Sequence, residues 1–262
     1  MATRDLDMLF ETCGAKTPFE FCVECPDKGL TERYELKFPF AVIGRNAKND
    51  LVLADPQVSR RHAYVQVLNG RLFWVDLNSR TGVHRVEGSD GSGWSRPNQA
   101  VQIGPFLMRP CETHGDDCDV LPSAPELHGL SDSLLDSRLP ENDPLPAITL
   151  EFLNARTRKG HTWQMNRALA LIGSAPECKV QLIDPRVSRF HASLLRTAGG
   201  LWAIDLLGRR GIHVNGERVR CGRLGHGDEL LVGEIRIRIH ASVPGASAMS
   251  AATSLQSEEN NS

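Results

Sequence analysis

Asp55-Pro56-Gln57-Val58-Ser59-Arg60-Arg61-His62-Ala63 and Asp184-Pro185-Arg186-Val187-Ser188-Arg189-Phe190-His191-Ala192 are two versions of one stretch, 129 residues apart. Extended outward at the same offset, residues 44–104 lie over 173–233 without a gap, and 18 of the 61 pairs are identical. Asp76-Leu77 falls on Asp205-Leu206, and Arg80-x-Gly82-x-His84 on Arg209-x-Gly211-x-His213. A period this long gives each copy room for its own hydrophobic core, unlike solenoid repeats of about 20–50 residues. The 262-residue chain therefore divides into an extension (1–16), a first domain (17–109), a linker (110–146), a second domain (147–241) and a tail (242–262).

Within each copy the local signals are those of short strands. Ala63-Tyr64-Val65-Gln66-Val67 and Leu72-Phe73-Trp74-Val75 are β-rich runs flanking Asn69-Gly70, a hairpin signature. Ile235-Arg236-Ile237-Arg238-Ile239 alternates apolar and basic residues at period two, as a half-buried strand does. Val42-Ile43-Gly44 and Leu171-Ile172-Gly173 end strands at glycine, and Val214-Asn215-Gly216 marks another turn. With no convincing amphipathic helix inside either copy, the pattern predicts an all-β chain of two tandem β-sandwiches. The linker holds Pro110, Pro122, Pro125, Pro140 and Pro144 and no sustained periodicity, although Leu130, Leu134 and Leu135 offer apolar contacts. The Ser/Ala-rich tail ending in Glu-Glu-Asn-Asn-Ser is expected to be disordered.

Composition sets the outer bounds. Forty per cent hydrophobic and 24% charged residues describe a globular chain. The net charge of −2 argues against a polycationic nucleic-acid binder. That average conceals an uneven distribution: the linker carries −8 and the second domain +7, beside +2 on the first domain. Asp5 and Asp7 stand where a secretory signal needs an unbroken apolar run, so the expected compartment is the cytoplasm. Seven cysteines, an odd number, show no disulfide-scaffold pattern and fit a reducing interior.

The residues shared between copies gather in segments that should be loops, which in the first copy read Gly44-Arg45, Ser59-Arg60-x-His62 and Ser79-x-x-Gly82; Arg45 and Ser79 are particular to that copy. The order Gly-Arg, then Ser-Arg-x-His-Ala, then Asp-Leu-x-Ser-x-x-Gly resembles the forkhead-associated (FHA) domain family. The resemblance covers roughly 18–109 and 147–241 and implies about eleven strands per domain, with loops at one end that bind phosphothreonine peptides. The physics of the first copy agrees. A phosphothreonine carries about −1.5 to −2 charges and three acceptor oxygens, and its capture calls for a guanidinium fork and a hydroxyl on rigidly held loops. Arg45 supplies the fork, Ser59 the hydroxyl and Arg60 a second cation, with Arg80 and Thr81 expected beside the peptide. The plainer alternatives are an Arg45 paired with Asp50 or Asp55 and a Ser59 that caps a turn. The resemblance gives His62 and His191 a structural role in bracing these loops, together with Gly44 and Gly82. Asp76 and Asp205 are expected to satisfy backbone amides.

Departures from the family pattern matter. Thr81 stands where the family places an asparagine that bonds the peptide backbone, and a threonine hydroxyl does not offer both an amide donor and a carbonyl acceptor. The second copy has Ser174 for the fork arginine, Gly208 for the serine and Arg210 for the asparagine, while Ser188, Arg189 and Arg209 persist. Its site is therefore read as degenerate.

Other chemistry is thin. Cys22-x-x-Cys25 with Cys111-x-x-His114-x-x-x-Cys118 matches no closed zinc pattern, so incidental cysteines are the plainer reading and no metal is expected. Gly88-Ser-Asp-Gly-Ser-Gly93 lacks the Lys-Ser/Thr of a phosphate loop and reads as a flexible turn. A Ser-His-Asp triad using His62 with Asp76, or His191 with Asp205, lacks a nucleophile elbow. Thr113, three residues before Asp116, has a spacing that some family ligands favour and is a candidate self-ligand. The expectation is a non-enzymatic, cofactor-free signalling adaptor that reads phosphothreonine proteins made by Ser/Thr protein kinases. The alternatives are a phosphate-independent assembly module, or anion or nucleic-acid binding by the basic second domain.

Overall fold

The computed structural model describes residues 3–15, 19–85, 90–95, 99–111, 145, 147–153 and 161–241. The readings placed on Thr113, His114, Cys118, Leu130, Leu134 and Leu135, and on the tail, lie outside the described residues. The chain divides into two compact units, Met1–Ser137 and Arg138–Ser262, each described by itself.

Ten described strands make the first unit's sandwich: β1 (Phe19–Cys25), β2 (Leu30–Leu36), β3 (Phe40–Gly44), β4 (Leu51–Val52), β5 (Ala63–Leu68), β6 (Arg71–Asp76), β7 (His84–Arg85), β8 (Gly93–Trp94), β9 (Val101–Ile103) and β10 (Phe106–Pro110). One sheet has the order β2-β1-β10-β9-β7 and the other β4-β3-β5-β6-β8. Phe21 of the first sheet meets Trp74 of the second edge to face, with ring centroids 5.8 Å apart, and both are fully buried. The hairpin between β5 and β6 turns on Asn69 and Gly70 with φ 49° and 72°, the paired positive values of a type I′ turn. Gly93, assigned to a flexible turn by the sequence pattern, instead pairs with Trp74 as the start of β8, so that turn ends earlier than its glycines suggest.

The second unit repeats the plan with β11 (Ile148–Leu153), β12 (His161–Met165), β13 (Leu169–Gly173), β14 (Val180–Gln181), β15 (Ala192–Thr197), β16 (Gly200–Asp205), β17 (Ile212–Val214), β18 (Glu217–Val219), β19 (Cys221–Leu224), β20 (Glu229–Val232) and β21 (Ile235–Ala241). Its sheets run β12-β11-β21-β20-β17-β18 and β14-β13-β15-β16-β19. Ile237 and Ile239 of β21 are buried while Arg236 and Arg238 are exposed, as the period-two alternation requires. Asn215-Gly216 forms the β17–β18 turn. The chain is thus all-β in its domains, two sandwiches in tandem.

Helix α1 (Thr3–Cys13) in the N-terminal extension is an element that the strand-centred reading does not include. Leu6, Leu9, Phe10 and Cys13 recur at the i, i+3, i+4, i+7 spacing of one helical face, and the last three are buried. The end of the helix is fastened to the β5–β6 hairpin: the Gly70 amide donates to the Cys13 carbonyl at 3.1 Å, and Gln66 Nε2 approaches Cys13 Sγ at 3.7 Å. β5, next to this contact, is buried at all six positions and does not alternate. Truncating Leu9, which is fully buried, is expected to cost about 3 kcal/mol. Urea denaturation of the Leu9→Ala chain, giving a lower midpoint at an unchanged slope, checks it.

Candidate functional site

Three loops meet beyond the ends of β3, β5 and β6. The first starts at Gly44, where the chain leaves β3 before returning as β4, a parallel neighbour paired through Ile43–Leu51 and Gly44–Val52. A Cβ on Gly44 would lie 2.6 Å from the Arg60 carbonyl and 2.7 Å from that of Ser59. Glycine is required here by this close approach, which lets the Arg45 and Asn46 amides donate to the Ser59 and Arg60 carbonyls at 3.0 and 3.2 Å. Asn49 Nδ2 donates to the same Arg60 carbonyl at 2.7 Å. Asn49 is a site-building residue that the motif reading passed over; nothing in a loop asparagine four positions after Arg45 distinguishes it by sequence.

His62 joins the loops. Its Nδ1 accepts the Ser59 amide at 3.0 Å, and Nε2–H donates to the Gly82 carbonyl at 2.8 Å. Its own backbone amide and carbonyl pair with Ile43 and Leu77. The ring is fully buried, and burial pushes its pKa down, which keeps it in the neutral tautomer that these two bonds require. Asp76 Oδ1 accepts the Ser79 amide at 2.8 Å, and Ser79 Oγ accepts the Gly82 amide at 3.0 Å. A histidine between a backbone amide and a carbonyl has no nucleophile to activate, so the geometry offers no triad.

On this frame the first unit displays Arg45 and Arg60, both exposed, and Ser59, half-buried between them. Among the described residues Arg45 makes no ion pair. Asp50 accepts the Val42 amide at 2.7 Å, and Asp55 pairs with Lys28 at 3.0 Å. Ser59 Oγ accepts the Arg80 amide at 3.0 Å, which holds the hydroxyl in place with its O–H as the remaining donor. The Arg80 guanidinium donates to the Pro56 carbonyl at 2.6 Å and the Thr81 hydroxyl to that of Gln57 at 3.2 Å. These two side chains therefore tie the third loop to the second. His84, identical between the copies, supports the same corner: its Nε2 bonds the Thr81 carbonyl at 2.6 Å and its Nδ1 lies 3.0 Å from Asp90.

The second unit keeps the frame and changes the surface. His191 Nδ1 accepts the Ser188 amide at 3.1 Å, and Nε2–H donates to the Gly211 carbonyl at 2.9 Å. Ser188 Oγ accepts the Arg209 amide at 3.1 Å, and Asp205 Oδ1 the Gly208 amide at 3.0 Å. Cys178 stands in the place of Asn49, its thiol donating to the Arg189 carbonyl at 3.3 Å. A Cβ on Gly208 would lie 2.7 Å from the His191 ring, so the loop has closed on the imidazole where the first unit carries Ser79. Leu207 (φ 56°) holds the same left-handed backbone as Asn78 (φ 58°), a conformation costing a non-glycine residue about 1–2 kcal/mol. Ser174 is half-buried at the fork position, while Arg189, Arg209 and Arg210 are exposed.

Cys22 and Cys25 do not form a joint ligand pair. Cys25 is buried in the core, whereas Cys22 faces the other side of β1, as residues three apart on a strand must. Among the described residues no group of three or more His, Cys, Asp or Glu side chains is arranged to hold a metal.

An FHA domain model matches residues 41–90 and 170–233, one stretch in each unit. These matches support two copies of the FHA domain, one in each unit, and each match spans the three loops of its unit. Over 76 residues, 29% of this chain, it is 32% identical to the oxoglutarate dehydrogenase inhibitor of Corynebacterium efficiens. The match covers 54% of that protein, so the chain spans about half the length of this relative. A solved structure from a study of phosphothreonine-dependent FHA domain interactions is 25% identical, covering 37% of this chain and 98% of that one, with a TM-score of 0.34. Mycobacterium tuberculosis EmbR in complex with a low-affinity phosphopeptide is 24% identical, covering 37% and 25%, with a TM-score of 0.34.

The histidine brace has a pH signature. The pKa of His62 is lowered in the folded state, so on acidification the unfolded chain binds the proton first. Its contribution is full above the ordinary histidine value of about 6.5 and is lost as pH falls below it. His84 is shifted up, by the Thr81 carbonyl and then Asp90, and works in the opposite sense, weakly because it is largely exposed. Hydrogen-exchange protection of peptides spanning 59–68 is expected to fall between pH 7 and 5. The fall steepens in His84→Asn, which removes the opposing contribution.

Proposed function

We propose that the first FHA domain reads phosphothreonine peptides and that the chain is a non-enzymatic adaptor. The observation that carries this reading is Ser59, whose hydroxyl is held by the Arg80 amide and whose backbone neighbours are exposed Arg60, next in the chain, and exposed Arg45, whose amide donates to the Ser59 carbonyl. A dianionic phosphate placed there meets two guanidinium groups and an O–H donor on loops locked by His62, with little reorganisation required. FHA domains are interaction modules, and the FHA match over residues 41–90 includes these loops. A relative named for inhibiting an enzyme fits a chain that acts by binding and not by turnover. The ligands are proteins phosphorylated by a Ser/Thr protein kinase, met in the cytoplasm. Because Thr81 turns its hydroxyl to Gln57, the peptide backbone is gripped less firmly than the phosphate.

The second domain, with Ser174 at the fork and Gly208 packed on His191, has no equivalent grouping and is assigned a phosphate-independent protein contact. Loss of one or two charge-assisted hydrogen bonds, about 1.5–3 kcal/mol each, predicts at least tenfold weaker phosphopeptide binding by Arg45→Ala. The measurement is fluorescence polarisation of the full chain with a degenerate phosphothreonine peptide library and its unphosphorylated twin. Equal retention of both libraries by the wild-type chain overturns the reading in favour of an assembly module. Undiminished binding by Arg45→Ala moves the site to the second domain.

A further inference from the structure

Cys22 and Cys111 bring their sulfur atoms to 2.8 Å across the first and last strands of the first domain. That is inside ordinary contact distance for two sulfurs and about 0.8 Å longer than a disulfide bond. The pairing is built by the sheet. Cys22 lies opposite Arg109 of β10 and Arg33 of β2. Cys111 extends the β10 ladder by one rung, its amide donating to the Glu20 carbonyl at 2.9 Å. The two cysteines are therefore diagonal neighbours on the sheet face turned away from the core, where Phe21 and Val23 are buried on the opposite side. Both are half-buried, within reach of a small molecule, whereas Cys13, Cys25, Cys178 and Cys221 are buried.

We propose that Cys22 and Cys111 form an oxidative modification site, a thiol pair that a peroxide converts into a disulfide joining β1 to the end of β10. Desolvation, and then its hydrogen bond to Cys22, raise the Cys111 thiol to about 12. Cys111 therefore keeps its proton and serves as the resolving thiol. Cys22 sulfur attacks one peroxide oxygen, the O–O bond breaks, and the sulfenic acid forms as the Cys22 thiol proton leaves with the second oxygen as water. Cys111 sulfur then attacks the Cys22 sulfur, the S–O bond breaks, and the oxygen leaves as water with the Cys111 proton. The two thiols lose two protons and two electrons in total, and the peroxide is reduced to two waters. A resolving thiol already in contact favours the disulfide over further oxidation. The bond closes a separation of 89 residues, which restricts the unfolded chain.

Full-length protein treated with hydrogen peroxide, then denatured, alkylated and digested, provides the test. The expected product is a cross-linked peptide pair containing Cys22 and Cys111, lighter by two hydrogens and separated by dithiothreitol. The oxidised chain should melt on the order of 10 °C higher in the transition of the first domain, and neither Cys22→Ser nor Cys111→Ser should show that rise. In Cys111→Ser, Cys22 should be trapped by dimedone as the sulfenic acid. Full alkylation of both cysteines after peroxide treatment overturns the proposal, as does a Cys111–Cys118 cross-link in place of Cys22–Cys111. None of these readouts depends on phosphopeptide binding.

Discussion

A neutral imidazole buried at the junction of three loops holds each domain's loop edge together. His62 takes an amide proton from the Ser59 loop and gives one to the Gly82 loop, while its backbone pairs with Ile43 and Leu77. One side chain thereby satisfies polar groups from two loops that no strand ladder reaches, and burial makes each of those bonds costly to lose. The charge state matters as much as the position. A protonated ring would have two donors and no acceptor for the Ser59 amide, and burial is what holds the ring neutral. Gly44 is the steric counterpart of this brace, since a side chain there would push the 59–60 carbonyls away from the amides they accept.

Comparison of the two domains separates scaffold from chemistry. His191, Ser188, Asp205 and Gly211 reproduce the first domain's hydrogen bonds almost one for one. Even the left-handed residue before the third loop recurs, as Leu207 in place of Asn78. What differs is Ser174 for Arg45 on the surface, and beneath it Cys178 for Asn49 and Gly208 drawn onto the imidazole where Ser79 stands in the first copy. The repeated residues of the sequence are thus mainly those that build the edge. The residues that differ decide what the edge can hold, which is why the proposed phosphate site belongs to one domain alone.

Much of this was legible from local pattern. Asn-Gly turns at 69–70 and 215–216 require paired positive φ values that asparagine and glycine tolerate, so those hairpins were readable. The alternation of Ile235–Ile239 stated which side of β21 faces the core. Helix α1 was readable from its Leu6-Leu9-Phe10-Cys13 spacing, yet short apolar spacing in an 11-residue segment is easily passed over beside a strong strand pattern. Asn49 was not readable, because its role depends on the Arg60 carbonyl arriving 2.7 Å away from a different loop.

The repeat, the strand alternation, the turn residues and the three shared loop motifs follow from residue order, because each is a relation between near neighbours or between two aligned copies. The partners of side chains do not. The family resemblance sets Arg80 and Thr81 beside the peptide, and the fold adds the Pro56 and Gln57 carbonyls as partners within their reach. Cys22 and Cys25 read as incidental cysteines, but the pleat sends them to opposite faces and sets Cys22 against Cys111. In each instance the partner comes from another loop or strand, so the pairing was settled by how the two sheets pack and register.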